Sequence, residues 1–161
     1  MFGLFKKKEK KHVLGAVAKG KAVPLSAVND PTFNQAILGE GAAVIPAEGK
    51  VYAPVDGKVE MVFETLHALS ITADFGAEVL VHVGLDTVQM KGDGFEAHVA
   101  AGDQVKKGDL LLTVDLDKVK AAGYDTVIPV IICNTSDYGK VELTGAGEVA
   151  NGDDFITVTE K

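Results

Sequence analysis

Four histidines (His12, His67, His82 and His98) and one cysteine, Cys133, are the residues of this chain best suited to nucleophilic or metal chemistry. Cys133 ends the apolar run Val-Ile-Pro-Val-Ile-Ile-Cys and reads as a buried structural thiol. A single cysteine forms no internal disulfide and matches a reducing cytoplasm. His12 sits in a basic segment, and His98 sits in a strand-like stretch before Gly102. Both read as surface or rim histidines. His67 and His82 differ, because two strand-like runs lie between them, separated by Ala73-Asp74-Phe75-Gly76. A four-residue hairpin loop there pairs residues whose numbers sum to 149, with His67 directly opposite His82. Directly opposed residues on one face have Cβ atoms ~5 Å apart. Leu69/Leu80 and Ile71/Glu78 follow on that face, while Val79, Val81 and Val83 point into the core. A slip of one residue would send the imidazoles to opposite faces.

Two adjacent imidazoles in a mostly apolar collar have three uses. They can be a stacked structural pair, or two ligands of a zinc site that takes a further carboxylate. They can also relay a phosphoryl group. A neutral imidazole nitrogen is a competent nucleophile at phosphorus, and its neighbour can donate a hydrogen bond to the transferring oxygens.

The elements that must position them are strands. From Ala22 onward, short runs rich in Val, Ile and Leu alternate with Gly-Asp, Asp-Gly and Asn-Gly turns. The expected class is all-β, a sandwich or partly closed barrel of short, mostly antiparallel strands with one or two short helical turns. One helical turn is expected after Asp30, over Pro31 to Leu38, and one from Asp115 to Ala122, with Gly123 past its end. Val51–Val59 and Ala101–Asp109 echo each other, which predicts a duplicated architecture. The 161 residues suit one domain over 21–161, preceded by a flexible basic tail over 1–20.

Charge narrows the function. Residues 1–11 carry five Lys and one Glu, so the net −7 of the chain leaves −11 on the remainder. Such an acidic body excludes nucleic acid, whose phosphates it repels. Every basic residue is Lys, so no guanidinium clamp is available for phosphate. No apolar stretch approaches the ~20 residues of a membrane span. Phe2, Leu4 and Phe5 beside the lysines read as a solvated tail or as a weak amphipathic contact of residues 1–11 with anionic membrane.

The segments Ala53-Pro-Val-Asp-Gly57, Phe63-Glu-Thr-Leu-His-Ala68, Val81-His-Val-Gly-Leu-Asp-Thr-Val88 and Lys91-Gly-Asp-Gly-Phe95 resemble the glucose-family IIA component of the bacterial sugar phosphotransferase system. Ala101–Asp109 and Pro129–Asn134 extend the resemblance, which runs from about Ala22 to the C-terminus. It implies a duplicated barrel-sandwich domain with the site in a shallow apolar depression. It implies that His82 carries the phosphoryl group on Nε2, that His67 hydrogen-bonds that group, and that Thr65 orients His67. Asp30 and Asp86 match acidic residues around the site; Phe33, Phe63 and Val88 match its apolar, partner-binding rim. Leu80 and Val83 stand where the family often has aromatic residues. The implied donor is the histidine-containing phosphocarrier protein, and the implied acceptor is the cysteine of a sugar-permease IIB domain. The implied location is the cytoplasm.

Other readings rest on fewer residues. Met90-Lys91 mimics the attachment lysine of biotin or lipoyl carriers, but Gly92 follows where biotin attachment wants a second Met. His82-x-x-x-Asp86 copies part of a lysostaphin-type zinc peptidase motif, whose His-x-His is missing here. No cofactor is required by the relay. Zinc could be held by His67 and His82 only with a third ligand from a partner protein. A regulatory module, whose phosphorylation abolishes apolar docking to protein partners, is compatible with the relay.

Overall fold

The computed structural model describes residues 9–161. The contact expected of Phe2, Leu4, Phe5 and the lysines at 6–8 lies outside the described residues. Seven strands lead up to His82: β1 (Lys11–Gly15), β2 (Gly20–Pro24), β3 (Glu40–Pro46), β4 (Lys50–Tyr52), β5 (Gly57–Val62), β6 (Ala68–Ala73) and β7 (Glu78–His82). Seven more follow: β8 (Phe95–Ala97), β9 (Gln104–Val105), β10 (Leu110–Val114), β11 (Ile128–Ile132), β12 (Tyr138–Leu143), β13 (Gly147–Val149) and β14 (Asp154–Glu160). They form an eight-stranded sheet in the order β13-β2-β3-β11-β7-β6-β5-β9 and two three-stranded sheets, β1-β14-β12 and β4-β10-β8. Each pairing is antiparallel.

Local chemistry accounts for the elements. β11 reads Ile-Pro-Val-Ile-Ile and is buried throughout, as a central strand covered on both faces must be. β7 alternates, with Val79 and Val81 fully buried and Glu78, Leu80 and His82 on the other face. Helix α1 (Pro31–Asn34) starts where the Asp30 carboxylate accepts the Thr32 N–H at 2.9 Å. Helix α2 (Leu116–Ala121) is capped by Asp115, which accepts the Lys118 N–H at 3.1 Å, and ends before Gly123 at φ +89°.

The main core gathers Leu14, Leu69, Ile71, Leu111, Leu112, Ile128, Phe155 and Ile156 among its fully buried side chains. A smaller cluster of Val23, Leu25, Val28, Phe33, Ala43, Leu85, Val127 and Ile131 packs beneath Leu80. Phe33 of that cluster and Leu80 above it line the depression described below.

The duplicated architecture shows in how the two echoing segments meet. Ala53 and Asp109 are joined by Ala53 N–H to Asp109 O at 2.8 Å and by Gly108 N–H to Ala53 O at 2.9 Å. Val59 and Asp103 repeat the arrangement, through Val59 N–H to Asp103 O and Gly102 N–H to Val59 O. Position three of each segment thus contacts position nine of the other, the reciprocity of a local twofold.

Three expectations need correction. The flexible tail drawn over 1–20 overlaps ordered structure, since β1 pairs with β14 from Lys11 and Leu14, Ala16, Val17 and Ala18 are fully buried. In the sequence the lysine run extends to Lys11, the first residue of that strand, and hides its apolar pattern. Cys133 is exposed, because β11 ends one residue earlier and the chain turns outward. Desolvation and the nearby Glu78 carboxylate still raise its thiol pKa, which keeps it protonated.

The third correction is the hairpin register. Ala68 pairs with His82, Leu69 with Val81 and Ile71 with Val79, one residue away from the expected pairing. Ala73 N–H bonds Ala77 O and Gly76 N–H bonds Ala73 O, each at 2.8 Å, so the loop has three residues, Asp74–Gly76. Gly76, at φ +104°, supplies the positive φ that this shorter loop needs.

Candidate functional site

His82 is the last residue of β7 and directs its ring away from the core. His67 lies just before β6, and its carbonyl accepts the Val83 N–H at 2.7 Å. Its backbone partner is therefore Val83, whose side chain is buried in the core. Regular strand alternation would bury His67 on that same face. Leu66, at φ +60°, breaks the alternation, and its N–H closes a turn onto Phe63 O at 2.8 Å. The regular strand begins only at Ala68, after His67, and the two imidazoles meet edge to face with centroids 4.9 Å apart. The juxtaposition expected from sequence is present by a different backbone route.

Phenylalanines bracket the pair. Phe63 stands edge-on to His67 at 5.4 Å, and Phe33 is tilted against His82 at 5.0 Å. A cavity of about 310 Å³ opens over His82, with Asp30, Phe33, Phe63, Asp86 and Val88 in its wall. These are five of the side chains expected around the site. Phe33 is only 4% exposed and serves as floor, whereas Val88, 44% exposed, stands on the rim. Leu80 also lines the cavity, but Val83 belongs to the core. Thr32 and Leu38 complete the wall and were missed in the sequence, since neither lies in a chemically distinctive motif.

Hydrogen bonds define the chemistry of each ring. His82 Nδ1 lies 2.8 Å from the Gly84 carbonyl oxygen, which can only accept. Nδ1 therefore carries the proton, and in the neutral ring Nε2 holds the free lone pair. Gly84 was not foreseen as a site residue, because its part is played by a backbone carbonyl. A glycine two residues after His82 is the one signal the sequence offers, and the structure gives it φ +82°. His67 Nδ1 lies 2.6 Å from the Thr65 hydroxyl oxygen.

Burial favours the neutral form of both rings. His67 is 3% exposed, and its pKa is lowered to about 4, mainly by desolvation and then by repulsion from His82. The His82 pKa is lowered by desolvation, with partial opposition from the Gly84 carbonyl and the Asp30 and Asp86 carboxylates. Asp86 itself sits at φ +60°, immediately before the 3-10 turn Thr87–Met90.

The remaining histidines lie elsewhere. His12 stacks on Phe75 at 3.9 Å and contacts Glu160 at 2.6 Å, so it ties β1 to the hairpin tip. His98 contacts Thr113 at 3.1 Å. Among the described residues, no three His, Cys, Asp or Glu side chains form a group able to hold a metal ion. No helix among them is long and apolar enough to cross a membrane.

Comparison with known proteins places these features in a family. Residues 12–138 match the family described as phosphoenolpyruvate-dependent sugar phosphotransferase system, EIIA 1. The chain is 44% identical over 156 residues to the PTS system glucose-specific EIIA component of Oceanobacillus iheyensis, covering 95% of this chain and 94% of that protein. It is 45% identical over 149 residues to the PTS system beta-glucoside-specific EIIBCA component of Halalkalibacterium halodurans, covering 92% of this chain but spanning only 23% of that longer relative. Glucose permease IIA from Mycoplasma capricolum superposes with a TM-score of 0.87 at 36% identity, over 92% of this chain and 96% of that one. The chain belongs to the EIIA 1 family of the phosphoenolpyruvate-dependent sugar phosphotransferase system, whose proteins serve phosphoryl transfer in sugar uptake.

Proposed function

We propose that this domain accepts a phosphoryl group on His82 Nε2 from the histidine-containing phosphocarrier protein and passes it to the cysteine of a sugar-permease IIB domain. In the first step the phosphorus–nitrogen bond of the donor breaks as one forms to His82 Nε2. In the second, that bond breaks as phosphorus bonds the acceptor thiolate. The observation that carries the reading is the His82 Nδ1–H bond to Gly84 O, which leaves Nε2 unprotonated on a ring that lines the cavity.

The neighbours have separate tasks. A Thr65 hydroxyl that donates to His67 Nδ1 puts the His67 proton on Nε2, where it can bond phosphoryl oxygens. Asp30 and Asp86 repel a bound dianion and attract a basic partner surface, so the group is held loosely and exchanged quickly. Phe33 and Phe63 exclude water beside the rings, and Val88 offers an apolar contact at the rim. The chain holds no Arg, which suits a carrier that must release phosphate. The relay needs no cofactor and is placed in the cytoplasm; zinc on His67 and His82 would need a third ligand from a partner. Other protein partners could dock on the same apolar patch, and phosphorylation would expel them.

The test is incubation with phosphoenolpyruvate, the first phosphotransferase enzyme and the histidine phosphocarrier. Wild type should acquire an acid-labile phosphate and His82→Ala none. His67→Ala should be labelled yet transfer poorly to a IIB domain. Full labelling of His82→Ala would refute the assignment.

A further inference from the structure

The proton position on His82 depends on where the Gly84 carbonyl points, and among the described residues no side chain other than His82 itself bonds that carbonyl. The Gly84–Leu85 peptide is planar, so its C=O and N–H point in opposite directions. Its N–H donates to Asp125 O at 3.0 Å, which aims its carbonyl at His82 Nδ1. The N–H of Gly84 donates to Val127 O at 2.8 Å. One short segment, 125–127, therefore grips Gly84 on both sides. Its shape is set by the Asp125 carboxylate, which accepts the Val127 N–H at 2.9 Å across two residues.

A second restraint comes from the other end of the loop. Thr87 is fully buried, and its hydroxyl donates to Val83 O at 2.5 Å, closing residues 83–87 into a ring. The Thr87 methyl group lies against Gly84, where any added Cβ would collide with it. We infer that Asp125 and Thr87 act as positioning residues, a clamp that holds the Gly84 carbonyl on His82 Nδ1 and so keeps the lone pair on Nε2. The inference rests on His82 being the phosphoryl carrier. Neither residue touches the phosphoryl group. Both act through the backbone between them.

The experiment compares wild type with Asp125→Ala, Asp125→Asn and Thr87→Val in two measurements. Ring 15N chemical shifts of His82 in the unphosphorylated protein report which nitrogen carries the proton, without any partner. The rate of labelling by the phosphocarrier protein reports the consequence. Wild type should show the Nδ1–H form alone. Asp125→Ala and Thr87→Val should show a mixture with the Nε2–H form and be labelled roughly 10- to 100-fold more slowly. Asp125→Asn keeps an acceptor oxygen and should restore both readouts. If Asp125→Ala does not fold, Thr87→Val decides the question, because Val preserves the shape of Thr and removes only the hydroxyl. A folded variant that lacks either clamp and keeps both the pure Nδ1–H form and the wild-type rate would overturn the clamp. A wild type that is never labelled on His82 would refute the relay, whereas the ring shifts would still judge the clamp.

Discussion

His67 and His82 touch edge to face at 4.9 Å without being cross-strand partners. Ala68 occupies the position opposite His82, and His67 faces Val83 across the ladder. The left-handed turn at Leu66 brings the rings together. The polar support of His67 is Thr65, 2.6 Å from Nδ1. Thr65→Val should therefore leave His67 free to change tautomer and slow transfer to a IIB domain about tenfold, the loss of one hydrogen bond of about 1.4 kcal/mol. Thr65→Ser should restore the rate. Single-turnover transfer from pre-labelled protein is the measurement, and an unaffected Thr65→Val would remove Thr65 from the mechanism.

Burial of neutral imidazoles couples the site to folding. The pKa values of His67 and His82 are lowered in the folded protein, to about 4 for His67. Between about pH 6.5 and 4 the unfolded chain binds more protons, so stability is intact above 6.5 and is lost as pH falls through that window. The loss attributable to His67 should be on the order of 1 to 3 kcal/mol. Urea titrations at pH 7.5, 5.5 and 4.5 should show it, with a flatter dependence for His67→Gln. Equal slopes for the two proteins would contradict the neutral buried ring.

Asp30 and Asp86 both favour the charged form of His82. Converting them to Asn should shift the His82 titration midpoint downward, as read by proton chemical shifts. It should also weaken the salt dependence of labelling by the phosphocarrier protein. A midpoint that rises or stays fixed would show that these carboxylates do not act on the ring.

β1 is part of the fold, and the side chain of Leu14 is fully buried in the main core. Leu14→Ala should cost about 2 to 5 kcal/mol, seen as a lower urea midpoint. A change below about 0.5 kcal/mol would return this segment to the status of a dispensable tail.

Much of this molecule can be read from local chemistry. Asp30 and Asp115 announced their helices, because a carboxylate before a helical turn satisfies free N–H groups. The echo between 51–59 and 101–109 announced the duplicated halves. The hairpin register was harder to read, since a three-residue and a four-residue loop both suit Ala-Asp-Phe-Gly and only the Gly76 conformation separates them. His67 reached its neighbour through a positive φ at Leu66, a conformation that a leucine gives no reason to expect. The exposure of Cys133 is not legible in the sequence, because an apolar run predicts burial without marking where the strand ends. The part played by Gly84 is not legible either, because a backbone carbonyl leaves no signature in the residue type.

The proposed function puts the phosphoryl group on one nitrogen of one ring, His82 Nε2. Phosphorus NMR of the labelled protein, recorded on wild type and with His82→Ala as control, distinguishes phosphate on Nε2 from phosphate on Nδ1. The expected result is a single Nε2-phosphohistidine signal that vanishes on mild acidification and is absent from His82→Ala. A signal from Nδ1-phosphohistidine, or one that persists in His82→Ala, would contradict the account.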